Sequence, residues 1–251
     1  MGHFFDWQDG GPLRLELRSI DGRDFTLLRR IGYRSRRYDE PFGVPADPEH
    51  FTTDLASVPW MFGWLVPRSG EFTPAAVLHD GLVLPGGYLG PVVDRTEADL
   101  IFREAMVGLG TGRVRAWLMW SATTLGTMWH SRSPLRRALL VGLLGTVAVL
   151  GVLATLDLVD VWDVLPWMGE RSLRDELVGG ALGALVVPSV LALSWGRLAP
   201  AGVIASVALA FLLHVTAVIV LLYAGYRVLE RLVSGPATPD GVRLRDRVAG
   251  A

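Results

Sequence analysis

The sequence predicts an α+β protein: a small N-terminal hairpin and a helical domain, followed by a transmembrane α-helical region. Three observations carry that expectation. Of the 251 residues 51% are apolar and only 20% charged, and the mean hydropathy of +0.37 is high for a chain surrounded by water. The charge is unevenly spread: residues 1–137 hold 32 of the 49 charged side chains, and long uncharged runs take over from Ala138. Within the front part, a stretch with strand-like alternation gives way to stretches with helical periodicity.

Residues 13–18 (Leu-Arg-Leu-Glu-Leu-Arg) alternate apolar and polar side chains, and 25–33 follow a turn signal at Asp21-Gly22, which predicts the hairpin. Thr73-Pro74 reads as an N-cap with proline at the first helical position, so a helix is expected from Pro74 through Ala75 to about Leu84, stopped by Pro85-Gly86-Gly87. A second helix should open near Arg95 and end at Gly108 or Gly110, and a third should run from about Arg113 to Trp129. The domain boundary falls near Ser133-Pro134. Residues 1–132 are therefore expected to be soluble, 133–233 to form a membrane region, and 234–251 to be a flexible Arg-containing tail.

Within the membrane region, 138–156, 177–195 and 201–226 are candidate spans. Nineteen residues at 1.5 Å each reach about 28 Å, close to the hydrocarbon thickness of a bilayer. Arg132, Arg136 and Arg137 precede the first span, while 157–176 carry two Arg and six acids. The positive-inside rule then predicts a multi-pass cell-membrane protein with its front domain in the cytoplasm. The N-terminus lacks the basic start and apolar core of a signal peptide, in agreement. Three full crossings would put the tail outside, whereas Arg227, Arg231, Arg243, Arg245 and Arg247 are a cytoplasmic signature, so the number of crossings stays at two or three. Trp162, Trp167 and Trp195 near the span ends read as interfacial anchors, and His214 as a packing or hydrogen-bonding residue between helices. The expected partners are the lipid bilayer and, through the spans, further copies of the chain.

Composition also excludes chemistry. There is no Cys, which removes thiolate metal sites and cysteine nucleophiles, and all 24 basic residues are Arg, which removes Schiff-base lysines and the lysine of a phosphate loop. The net charge is −1, and residues 1–137 balance 16 Arg against 16 acids, so no nucleic-acid partner is expected.

What remains is a small set of polar groups in apolar settings. The helix at 75–84 is apolar nearly all round, which implies burial, yet His79 and Asp80 sit in its middle. A buried charge costs several kcal/mol unless it is paired, so both need partners, and adjacent helical residues point about 100° apart, so the partners differ. On the next helix Ala98, Ile101, Phe102, Ala105, Met106 and Leu109 recur at core spacing, and Asp99 and Arg95 fall along one edge of that stripe. Asp99 is placed to reach a ring nitrogen of His79 and orient it as a general base; an Arg95–Asp99 surface ion pair is the other arrangement that this spacing allows. Asp54 lies in a loop, where an acid usually caps a turn or a helix. Ser57 has no nucleophile elbow around it.

The combination Phe51-Thr52-Thr53-Asp54-Leu55-Ala56-Ser57-Val58-Pro59, Ala75-Ala76-Val77-Leu78-His79-Asp80 and Arg95-Thr96-Glu97-Ala98-Asp99-Leu100-Ile101-Phe102 resembles the bacterial and phage family called domain of unknown function 1353, over roughly residues 12–130. That family name carries no activity. His79-Asp80 followed on a second helix by Asp99 is also similar, more loosely, to the pattern of secreted and prokaryotic phospholipases A2. This resemblance implies His79 as the catalytic base, Asp99 as its orienting acid and Asp80 as a ligand of a divalent cation, calcium or another; Asp54 would have to contribute to that ion from elsewhere in the chain, and Arg95, beside Asp99 on the helix edge, is a supporting residue. The disulfides and the Gly-rich calcium loop of those enzymes are absent, and Val83 replaces their aromatic residue. The expected function is a membrane-anchored hydrolase of lipid acyl esters; the alternative is a non-enzymatic membrane adaptor, assembly factor or pore-forming effector with a structural His-Asp cluster.

Overall fold

The computed structural model describes residues 2–20, 24–55, 66–67, 69–168 and 171–234. It divides into two compact units, residues 1–116 with 221–251, and residues 117–220.

The front unit opens with β1 (His3–Asp6), a strand without a clear sequence signal, followed by the hairpin β2 (Leu17–Ser19) and β3 (Phe25–Leu27). The hairpin pairs antiparallel with Leu17 opposite Leu27. It is shorter than the alternation suggests, and its turn at 21–23 lies outside the described residues. The apolar run 25–33 is not one strand. It bends after Leu27, because Arg29 turns to the buried Asp6 and Arg30 donates to the carbonyls of Pro45 and Ala46 at 2.6 and 2.7 Å. The chain resumes as β4 (Ile31–Arg34), the centre of a second antiparallel sheet in the order β1-β4-β5, with β5 at Phe42–Val44.

Helix α1 (Thr73–Val83) packs on β4, β5 and α2 (Arg95–Gly108). Thr73 is not its N-cap: the helix starts one residue earlier than expected, Phe72 holds the cap position, and the Thr73 hydroxyl bonds back to Gly70. Contact with the sheet depends on Gly81, where a Cβ would lie 2.5 Å from Val44 Cγ1. Helix α2 begins where the sequence places it, with the Asp94 side chain accepting from Glu97 N at 2.8 Å. Its expected stripe is buried up to Met106: Ala98, Ile101, Phe102, Ala105 and Met106 are no more than 3% exposed, joining Leu27, Ile31, Tyr33, Phe42, Val44, Phe51 and Leu78 in the core, while Leu109, the C-cap, is half-buried.

Helix α3 (Arg113–Trp129) crosses the boundary between the units. Beyond it lie α4 (Pro134–Leu158), capped by Ser133, then α5 (Leu173–Ala192), a 3₁₀ turn at Leu193–Leu198 and α6 (Ala199–Ser234). In the rear unit Met128, Leu140, Leu143, Ala192, Trp195 and Leu198 form a small core. Two stretches, Pro134–Leu158 and Leu173–Val233, are long and apolar enough to cross a membrane. Only 17% and 11% of their most apolar windows is buried, so protein does not cover them as it covers a core helix. The second stretch contains the two later spans that the sequence suggests, separated at Gly196, whose φ of 60° and ψ of −118° break the helix. Thr155 on α4 bonds the His214 ring on α6 at 2.6 Å, so His214 does link two helices. The tail 235–251 lies outside the described residues.

Candidate functional site

The site is built where α1 and α2 meet. The apolar residues of α1 press it against the sheet, which carries His79 and Asp80 inward because they share its middle turns. The buried stripe of α2 brings Asp99, next to Ala98 on its edge, to face α1. His79 Nε2 and Asp99 Oδ1 are 2.8 Å apart. Asp99 is 1% exposed, whereas the His79 side chain keeps 13% of its surface, so the carboxylate is sealed and the imidazole reaches the edge of the core. Phe102, one turn along from Asp99, lies against the imidazole with ring centroids 5.0 Å apart.

This arrangement has a chemical consequence. A carboxylate only accepts hydrogen bonds, so Nε2 carries the hydrogen toward Asp99 and the neutral ring keeps its lone pair on Nδ1. Nδ1 has no protein partner among the described residues. The ring is thus held in one tautomer and one orientation, with its basic nitrogen on the side away from Asp99. Asp99 Oδ2 is buried without a hydrogen-bond partner among the described residues. Arg95 is not part of this arrangement. It is exposed on the first turn of α2, and the ion pair of Asp99 is made to His79.

Asp80 turns to a different neighbour, as adjacent helical positions require. Its Oδ2 accepts from the Thr53 hydroxyl, which in turn accepts from Leu55 N at 2.9 Å. The Thr53 backbone pairs in both directions with Phe25, at 2.8 and 2.9 Å, so this one residue ties the loop to β3 and to α1. Leu55 follows with φ at +69°, a left-handed conformation rare for a branched side chain. Burial pushes the Asp80 carboxyl up to about 6, against the hydrogen bond from Thr53 and the nearby His79, while repulsion from Asp54 adds to the rise. Asp54 is therefore close enough to Asp80 for the two charges to be felt. No group of three or more His, Asp or Glu side chains is placed to hold a metal ion among the described residues. Ser57 lies outside them.

Thr53 and Phe102 are the contributors that sequence reasoning left without a role. Phe102 was visible only as a core position. Thr53 carried a signal, a hydroxyl beside an acid in a loop, but its partner 27 residues away gave it no local expression.

No curated protein and no solved structure matches the chain. The likeness to phospholipases A2 therefore rests on His79, Asp80 and Asp99 alone. Residues 25–123 match a family model described as a protein of unknown function, DUF1353; the match begins at the first residue of β3 and encloses Thr53, His79, Asp80 and Asp99. The segment that holds the candidate site is a DUF1353 domain.

Proposed function

We propose that this protein is a membrane-anchored hydrolase of acyl esters in which His79, oriented by Asp99, activates water. The supporting observation is the 2.8 Å contact between a ring nitrogen of a partly exposed histidine and an aspartate that is 1% exposed. In the proposed reaction Nδ1 takes a proton from water as its oxygen attacks the ester carbonyl. The imidazolium that forms is stabilised by Asp99, and the proton then passes to the departing alkoxide as the carbon–oxygen bond breaks. Asp54 and Asp80 offer two hard-oxygen side chains, too few for a resident cation without further ligands, so no step runs through one. The apolar stretches 134–158 and 173–233 hold the domain at a bilayer, with the front domain on the cytoplasmic side, where ester-linked lipids are the nearest substrates.

The test is release of fatty acid from phospholipid vesicles by the full chain. His79→Gln and Asp99→Asn should each lower the rate by about 10²–10⁴-fold, the range for loss of a general base or its tautomer control. Undiminished release by His79→Gln at unchanged melting temperature would remove the proposal.

A second reading has its own support: Thr53 joins β3, its loop and α1 through four hydrogen bonds, as a structural knot would. Under it the chain is a non-enzymatic membrane adaptor, assembly factor or pore-forming effector. His79, Asp80 and Asp99 would then act together in stability, and their double variants would be strongly non-additive.

A further inference from the structure

The rear unit contains a cavity of about 300 Å³ between α4, α5, α6 and the loop that joins α4 to α5. Its walls are almost entirely apolar, with Leu150, Ala184 and Phe211 among them and Trp167 near the loop. Two features depart from that character. Glu176, on the first turn of α5, lines the cavity while being only 6% exposed, and His214 lines it with Nε2 tied to Thr155. Among the described residues the Glu176 side chain has one hydrogen bond, a long one of 3.4 Å from Arg171 N to Oε1, and no cationic side chain pairs with it. At the same end of the bundle Asp157 is 1% exposed, accepts from Leu165 N at 3.2 Å, and has its other oxygen buried without a partner among the described residues.

Buried carboxylates without counter-charges are costly, by several kcal/mol each, unless something positive sits nearby. Thr155 has one hydroxyl hydrogen, given to Gly151 O at 2.7 Å, so His214 donates from Nε2 and needs no proton on Nδ1 to make the bond. In that form the imidazole adds no positive charge. The cavity is thus apolar in its walls and negative at one end, beside an indole whose face attracts cations.

We propose that this cavity binds an amphipathic organic cation, its ammonium group paired with Glu176 and its hydrophobic body lying against Leu150, Ala184 and Phe211. Charge complementarity favours this occupant over a neutral or anionic lipid tail, which would leave the carboxylate uncompensated. The site is separate from His79 and Asp99, and the proposal stands or falls without the hydrolase.

The experiment is equilibrium dialysis of benzyltrimethylammonium against the full chain in zwitterionic lipid nanodiscs, with empty nanodiscs subtracted. Saturable binding is expected, weakened at least tenfold by Glu176→Gln, which keeps a hydrogen-bond acceptor for Arg171 N but removes the charge. Ala184→Phe, which fills the cavity and leaves the charge in place, should weaken it to the same degree. Phenylmethanesulfonate, of similar shape and opposite charge, should not compete. Absence of saturable binding, binding that survives either substitution, or competition by the sulfonate overturns the proposal.

Discussion

Replacing Asp80 by Asn should make this protein more stable at neutral pH, a result opposite to that expected for most substitutions of a buried hydrogen-bonded side chain. The ordinary carboxyl value of 3.8 is raised to about 6 in the folded chain, chiefly by burial. Below pH 3.8 the group is protonated folded or unfolded and contributes nothing. Between 3.8 and about 6 the folded chain keeps a proton that the unfolded chain has released, so stability falls as pH rises through this window. Above it the full cost is present. A gap of roughly two pH units corresponds to about 3 kcal/mol, and partial exposure of Asp80 reduces this to about 2 kcal/mol. Asn keeps an oxygen to accept from the Thr53 hydroxyl and carries no charge at any pH. Thermal melts of the full chain in detergent, from pH 4 to pH 8, should show the two proteins together at pH 4 and the variant higher by roughly 8 °C at pH 7. A difference that does not change with pH, or an Asn variant that melts lower at pH 7, would refute the reasoning. The result also separates the two functional readings. A residue kept for a structural knot should not destabilise the fold in its ionised form, whereas a strained polar site is a common cost of function.

Gly81→Ala should lower stability by about 1–3 kcal/mol in the same melts, because the added methyl meets the Val44 side chain and the helix must lift from β5. The chain has no native Cys, so a single Cys placed at Trp162 reports the sidedness of the loop between α4 and α5; a membrane-impermeant maleimide added to intact cells should label it, and labelling only after lysis would reverse the proposed orientation.

The helices of the front unit were legible because their signals are local. Asp94 before Arg95 and apolar residues at 98, 101, 102, 105 and 106 fix both the start and the buried face of α2, and that face decides where Asp99 points. The pairing of Asp99 with His79 rather than Arg95 follows from burial. Breaking a buried imidazole away from its acid is costly, while an exposed i, i+4 ion pair is worth only a few tenths of a kcal/mol. The sheet was largely illegible. His3–Asp6, Ile31–Arg34 and Phe42–Val44 are three or four residues each, too short to show alternation, and β1 and β4 pair across a separation in sequence that no local pattern records. The same is true of Thr53, whose bonds to Phe25 and Asp80 exist only once β3, the loop and α1 are assembled.

The conformation of Gly196 governs how residues 173–233 would fit within one thickness of lipid. The sixty-one residues from Leu173 to Val233 as one uninterrupted rod would stretch about 90 Å, three times the depth of a hydrocarbon layer. Interrupting it at a backbone angle open to glycine yields segments of 20 and 36 residues, roughly 30 and 54 Å long, each able to traverse the layer once. A single missing methyl group thereby separates two candidate spans from one overlong spike.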